Sequence, residues 1–190
     1  AEDLKADLSA PGQLGVGLVF LPTNGTERQI CKETVEKIIA EQGQTFVGWR
    51  KVPVNSEGAD IGPSARAVEP VVEQLFINAA EGLEAEVFER QLYVIRKRVS
   101  HQLRMDSKLR QAKMFYVCSL SMKVIIYKGQ MFSSQLMAYY PDLTAPDFET
   151  HLAMVHSRFS TNTFPSLSSN STSPSTDSGL GRSSADVLTA

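Results

Sequence analysis

The sequence has 190 residues, a formal net charge of −2 and 42% hydrophobic residues. This size fits one globular domain, and the absence of any run of about 18 apolar residues excludes a membrane span. A charge so close to zero gives no general attraction to nucleic acid or anionic lipid. The two cysteines are too few for a disulfide framework or a cysteine-built metal site, so we expect an intracellular protein.

The first half of the chain alternates between strand and helix patterns. Residues 15–21 are an apolar run that ends at Pro22 and predicts a strand. Thr26 opens a capping-box spacing, which predicts a helix that ends at Gly43. Residues rich in β-formers predict strands over 45–54 and 71–77, with a loop of glycines and prolines between them.

The second half begins with a long helix, predicted over about residues 84–104 from apolar residues spaced by 4, 3 and 4: Phe88, Leu92, Ile95 and Val99. Residues 115–120 and 123–128 predict a β-hairpin, since only a short polar break separates them. Ser133 and Ser134 are candidate caps for a short helix, and a last strand is predicted over residues 152–159. The fold class is therefore mixed α/β with a large antiparallel share, that is, α+β.

The last 25 residues differ from the rest in composition. Residues 166–190 contain nine serines, no aromatic residue and three charges. Such a segment buries too little apolar surface to offset the entropy of ordering it, so we expect it to be disordered. The predicted organisation is a domain over 1–165 and a divergent Ser-rich tail over 166–190.

Two groups of chemically interesting residues have ordinary structural explanations. Cys31 and Cys118 lie in apolar patterns and are predicted to pack in the core. The basic stretch from Arg96 to Lys113 has no nucleic-acid-binding motif and fits a solvated helix face, although contact with nucleic acid or a partner stays open. No phosphate-binding loop, dinucleotide fingerprint, zinc cluster or nucleophile elbow is present.

The end of the last predicted strand carries the most informative polar cluster. Residues 156–165 read His-Ser-Arg-Phe-Ser-Thr-Asn-Thr-Phe-Pro, which places an arginine, hydroxyls and an amide where a strand opens into a loop. The guanidinium fork of Arg158 suits a carboxylate, and the neighbouring groups can complete a polar pocket. Composition alone leaves an ordinary polar strand end as the alternative.

This segment resembles the signature of the glutamine amidotransferase (type 2) domain of glutamate synthase. Five further blocks resemble the same family in the same order: Gly15–Pro22, Gly48–Pro53, Glu69–Gln74, Phe115–Ser121 and Val124–Gln130. Together they cover about residues 12–166. The amino-acid sequences of two blocks resemble the NAD(P)H-dependent branch more than the ferredoxin-dependent one.

The resemblance implies a four-layer αββα N-terminal-nucleophile hydrolase fold, here incomplete. It implies hydrolysis of L-glutamine to glutamate and ammonia, which a synthase domain uses to aminate 2-oxoglutarate reductively in glutamate biosynthesis and nitrogen assimilation. Arg158 is expected to hold the glutamine α-carboxylate, and Thr161 to line the same pocket. The expected partners are L-glutamine and the remainder of glutamate synthase, with no nucleic acid or membrane, in the cytoplasm or a plastid.

The sequence departs from the family pattern at both ends. The family's N-terminal cysteine nucleophile is expected to precede Ala1, so no catalytic residue is assigned in this chain. The Asn-Gly segment that forms the oxyanion hole is expected after Ser166, where this sequence diverges. We therefore expect an inactive fragment of an oxidoreductase. The FMN, iron–sulfur cluster, NAD(P)H and FAD of the parent family are expected outside it. The alternative is a catalytically dead module that binds glutamine or a partner.

Overall fold

The computed structural model describes residues 12–159 and 183–189, with side chains for residues 12–156. The helices and strands in chain order are β1 (Leu14–Leu21), α1 (Gly25–Glu41), β2 (Thr45–Lys51), α2 (Pro63–Arg66), β3 (Val71–Asn78), α3 (Ala85–Met105), β4 (Tyr116–Ser121), β5 (Ile125–Gly129), α4 (Ser133–Tyr139), β6 (Ala153–Phe159) and β7 (Ser183–Thr189). Within the described ranges, no helix is long and apolar enough to cross a membrane. The chain divides into two compact units at residues 52/53, 69/70 and 125/126.

The first unit is built on an antiparallel sheet of four strands in the order β2-β3-β1-β4. Helices α1 and α3 pack together on one face of this sheet, where apolar residues of β1, β3 and β4 share one core with both helices. The four apolar residues predicted for one face of α3 are at most 1% exposed, which confirms the helix and its buried face. This antiparallel sheet with helices confirms the α+β class.

Two glycines of the first unit occupy positions that a larger residue would not tolerate: one ends a helix, and the other allows a close contact between a helix and the sheet. Gly43 has a φ of +71° directly after the last turn of α1, where the chain reverses into β2, so it ends the helix as predicted. Gly15 of β1 lies under Leu92 of α3, and a Cβ at this position would be 2.7 Å from both Leu92 methyl carbons. Because glycine has a hydrogen in place of a Cβ, α3 can approach the sheet closely at Gly15.

The predicted hairpin between β4 and β5 is wrong. β4 pairs with β1, whereas β5 belongs to a different sheet. At the end of β4 the polar groups form hydrogen bonds with α3. The Glu89 carboxylate of this helix accepts from the Ser121 hydroxyl at 2.6 Å and from the Met122 N–H at 2.9 Å. The chain leaves the strand through a turn in which the Lys123 N–H donates to Ser121 Oγ at 3.0 Å.

Helix caps also differ from the sequence expectation. Helix α1 is capped by Asn24, whose side-chain oxygen accepts from the Glu27 N–H at 3.0 Å, rather than by Thr26. Helix α4 begins after Phe132, whose N–H donates to the Gln135 side chain at 2.9 Å, so neither serine caps it. Both helices nevertheless begin close to where the sequence predicts.

The second unit contains the loop of residues 53–69 with α2, and the chain from residue 126 onward. Its sheet has three strands in the order β5-β7-β6, and β6 confirms the strand predicted over 152–159. β7 was not foreseen, since the sequence predicts disorder throughout 166–190 and the structure has a strand at Ser183–Thr189. The proposed domain boundary at 165/166 lies outside the described residues.

Candidate functional site

Arg158 lies in β6, one residue before the strand ends at Phe159. β6 runs antiparallel to β7, with Arg158 opposite Ser184. The expectation that this arginine lies near the end of a strand is therefore met by the backbone, whereas its role in binding stays a prediction. Thr161, the other expected pocket residue, lies outside the described residues.

Helix α4 of the same unit is tied to the 53–69 loop by a buried carboxylate network. The Glu69 carboxylate accepts from the Ser56 hydroxyl at 2.6 and 2.8 Å and from the Tyr139 hydroxyl at 2.5 Å. Burial, followed by the hydrogen bond to Glu69 and its charge, raises the pKa of Tyr139, so the phenol stays protonated and donates. The Gln135 side-chain amide adds a hydrogen bond to the Ala59 carbonyl at 2.9 Å. These bonds hold the loop in one position on α4.

The other end of α4 is tied to β5 by two buried tyrosines. Tyr127 donates to the Asp142 carboxylate at 3.0 Å, and Tyr140 donates to the Lys128 carbonyl at 2.9 Å. Their rings meet edge to face at 5.1 Å between centroids. Helix α4 therefore connects the loop to the sheet that contains Arg158.

The first unit contains a second polar network, built on two of the family-like blocks. Lys32 Nζ of α1 is 2.7 Å from Glu73 Oε2 of β3 and 5.0 Å from the ring centroid of Trp49 of β2. The Trp49 indole N–H donates to the Glu36 carboxylate at 2.9 Å. These contacts hold α1 against the edge of the sheet.

Glu69, Glu73 and Trp49 lie in blocks that resemble the family, but no sequence pattern predicts a role for them. Their partners are remote in sequence: Tyr139 is 70 residues from Glu69, and Lys32 is 41 residues from Glu73. The resemblance of their blocks to the family was the one sequence signal that pointed to these three residues. The structure gives these polar residues a positioning role within each unit.

Neither cysteine is a candidate nucleophile. Cys31 and Cys118 are at most 2% exposed, which confirms that they pack in the core. Burial first, then the nearby charges of Glu27 and Asp106, raises the pKa of Cys31 to about 12. A nucleophilic cysteine needs an accessible thiolate, which Cys31 does not have near neutral pH.

The basic stretch is partly used by the fold. Arg98 of α3 is 2.5 Å from the Glu41 carboxylate, and Arg96 donates to the Cys118 carbonyl at 3.2 Å. A shallow open cavity of about 510 Å³ lies beside it, lined by Arg98, His101, Gln102, Met105 and Asp106. The lining contains the acidic Asp106 as well as Arg98, so the surface fits a solvated helix end as the sequence indicates.

Metal-binding chemistry finds no support in the part of the chain that the structure describes. No group of three or more His, Cys, Asp or Glu side chains there could hold a metal ion. His156, the histidine of the family-like signature, is exposed in β6.

Comparison with known proteins gives one consistent family. A family model described as "Glutamine amidotransferases class-II" matches residues 1–172. The chain is 42% identical to the "Glutamate synthase [NADPH] large chain" of Azospirillum brasilense over 154 residues, which are 80% of this chain and 10% of that protein. It is 38% identical to the "Glutamate synthase [NADH]" of Saccharomyces cerevisiae over 173 residues, covering 86% and 8% of the two chains.

A ferredoxin-dependent relative is similar to the same extent. The chain is 38% identical to "Ferredoxin-dependent glutamate synthase 2" of Synechocystis over 153 residues, which are 80% of this chain and 9% of that protein. The chain thus spans about a tenth of the length of these relatives. Because the family model covers most of the sequence, the chain belongs to the class-II glutamine amidotransferases, whose fold is that of the N-terminal-nucleophile hydrolases.

Proposed function

We propose that this chain is part of the glutaminase domain of a glutamate synthase. In the complete enzyme the domain would hydrolyse L-glutamine to glutamate and ammonia, and the ammonia would be used for reductive amination of 2-oxoglutarate. The observation that carries the proposal is the family match through residue 172, which includes the Arg158 segment on β6. The full names of the relatives support the synthase assignment.

Arg158 supplies the substrate-binding chemistry in this proposal. A guanidinium group forms two parallel hydrogen bonds to a carboxylate, which fixes both the position and the orientation of the bound group. Holding the α-carboxylate of glutamine in this way places the side-chain amide at a defined distance, where a nucleophile can attack it. Thr161 follows in the same segment and would line the pocket.

The iron–sulfur cluster of the parent family does not fit the residues present. Such clusters are held mainly by cysteine thiolates, whereas the two cysteines of this chain are buried separately in α1 and β4. We assign the FMN, the cluster, NAD(P)H and FAD to the remainder of the enzyme. Identities of 38–42% to the nicotinamide-dependent relatives and 36–38% to the ferredoxin-dependent ones favour the NAD(P)H branch. A cytoplasmic or plastid location belongs to the same proposal.

A polypeptide of this sequence is expected to bind glutamine without hydrolysing it. The two cysteines that it contains are buried, and the high pKa of Cys31 keeps that thiol protonated. The alternative of a glutamine-binding module without activity therefore describes the isolated chain, while the glutaminase role describes the domain in the longer enzyme.

Isothermal titration calorimetry with L-glutamine tests the binding proposal. The Arg158→Ala variant should bind about 10- to 100-fold more weakly, since a lost charge-assisted carboxylate bond costs roughly 1.5–3 kcal/mol. L-glutaminamide, which lacks the α-carboxylate, should bind the unmodified chain as weakly as glutamine binds the variant. Arg104→Ala, which removes an exposed arginine of α3 in the first unit, is the matched control.

Two outcomes contradict the binding proposal, and a third contradicts the expected inactivity of the isolated chain. Absence of heat with the unmodified chain removes glutamine as its ligand. Equal affinity for glutamine and glutaminamide removes the carboxylate contact. Release of glutamate in a coupled glutaminase assay, above that of the buffer, contradicts the expectation that the isolated chain is inactive.

A further inference from the structure

The sheet of the second unit has an unusual strand at its centre. β7 is the last strand in the chain, yet it lies between β5 and β6 in the order β5-β7-β6. All seven residues of β6 pair with β7, from Ala153 opposite Thr189 to Phe159 opposite Ser183. The strand that contains Arg158 is therefore paired along its whole length with a segment of the Ser-rich tail.

The composition of β7 does not explain its central position. Its sequence is Ser-Ser-Ala-Asp-Val-Leu-Thr, and serine and aspartate are poor strand formers. A central strand nevertheless satisfies backbone donors and acceptors along both of its edges, which is the interaction that any extended peptide can supply. The position of β7 thus follows from the backbone ladder, and the slot between β5 and β6 is the feature that selects it.

Among the side chains of β6 that the structure describes, residues 153–156 are all exposed. Met154 is 55% exposed and its neighbour Val155 is 64% exposed, although successive residues of a strand point to opposite faces. Neither face of β6 is well covered at these positions. Without β7, a gap of roughly 10 Å, two strand spacings, would separate β5 from β6, and each strand would expose an unpaired edge.

We propose that the slot between β5 and β6 is a strand-acceptor site for an extended peptide of about seven residues, and that Ser183–Thr189 fills it in the same chain. The peptide lies antiparallel to β6 and is recognised through its backbone. The occupant orders β6, and hence the backbone of Arg158. This inference does not depend on glutamine binding, since it concerns the strand and not the substrate.

Hydrogen exchange measured by mass spectrometry on the full chain tests the proposal. Val187→Pro removes a backbone N–H in the middle of β7, opposite Val155, and proline is not tolerated in a central strand. Amides of β6 should exchange at least about tenfold faster in this variant, since each lost pairing opens the ladder. Asp177→Pro, in the same tail but outside β7, is the matched control and should leave β6 unchanged.

Adding the missing strand separately distinguishes an acceptor site from a general loss of folding. The peptide Ser183–Thr189, acetylated and amidated, should restore slow exchange in β6 of the Val187→Pro chain. The same peptide with proline in place of Val187 should not. In every sample, slow exchange in β1–β4 and unchanged Trp49 fluorescence report that the first unit is folded.

Four results would overturn the inference. The first is an equal rate of hydrogen exchange in β6 of the unmodified chain and the Val187→Pro variant, and the second is faster exchange in β6 of the Asp177→Pro control. The third is an equal effect of the two peptides on exchange in β6. The fourth is a loss of protection from exchange in β1–β4 together with β6. The last result would mean that the tail supports the whole fold rather than one slot.

Discussion

Removing the Glu73 carboxylate should destabilise the first unit more than removing any exposed ion pair. The side chains of Lys32 and Glu73 are only 21% and 12% exposed, and their charged atoms are 2.7 Å apart. Glu73→Ala leaves the Lys32 ammonium partly buried without its carboxylate. Breaking a fully buried pair costs about 3–5 kcal/mol, and the residual exposure here reduces the expected loss to about 2–3 kcal/mol.

Trp49 makes this prediction measurable in the right unit. It is the only tryptophan in the sequence, and its ring lies 5.0 Å from Lys32 Nζ. Urea unfolding followed by Trp49 fluorescence should show a midpoint about 1–2 M lower for Glu73→Ala, given typical denaturant slopes of roughly 1–3 kcal/mol/M. The emission of the folded variant should also change, because the cation over the indole loses its fixed position.

The control is an exposed pair on the same helix. Lys37 and Glu41 of α1 are 3.9 Å apart and 69% and 39% exposed, so Lys37→Ala should cost less than about 0.5 kcal/mol. The double variant Lys32→Met with Glu73→Leu should recover most of the stability, because two apolar side chains leave no unpaired charge. If Glu73→Ala costs no more than Lys37→Ala, the reasoning that this pair is structurally important is refuted.

Three further predictions follow from buried contacts. Gly15→Ala should lower the free energy of unfolding by about 1–3 kcal/mol, because the added Cβ would overlap Leu92. The double variant Gly15→Ala with Leu92→Ala should lose less stability than the sum of the two single losses. Additive losses in urea unfolding would contradict the close approach. The Cys31 contribution to stability should not change with pH below pH 9. Between pH 9 and about 12 it should fall by up to about 1.4 kcal/mol per pH unit, because the unfolded Cys31 thiol ionises from its ordinary pKa of 9.0 while the folded one does not. Cys31→Ala should lack this component, and an identical pH profile in this range would refute it. Tyr139→Phe should lose about 1–3 kcal/mol of local stability and speed hydrogen exchange in the 53–69 loop, since Glu69 loses a donor; unchanged exchange there would show that the network does not hold the loop.

The local elements were predictable because their signals are local. The spacing of Phe88, Leu92, Ile95 and Val99 matches the period of a helix, and burying that face on a sheet is the direct consequence. Gly43 ends α1 because glycine adopts a positive φ without steric cost. The polar strand end at Arg158 was likewise readable, since the β-forming residues before it and the polar residues after it are contiguous.

The partners of these elements were not predictable from the same patterns. β4 and β5 are adjacent in sequence and have the residues of a hairpin, yet Glu89 of α3 binds the end of β4 and the two strands enter different sheets. The partners of Glu69 and Glu73 are 70 and 41 residues away. Periodicity records which face of an element is buried, but it contains no information about which distant residue lies against that face.

The sequence by itself therefore determined the class of fold, most element boundaries, the burial of both cysteines and the family. The tertiary structure decided the strand order, the two carboxylate networks and the pairing of Ser183–Thr189 with β6. A Ser-rich segment has too little apolar surface to predict a strand, yet β7 lies between β5 and β6. The physical reason is that a strand at the centre of a sheet is held by backbone hydrogen bonds to its neighbours, and those bonds exist only once the neighbours are in place.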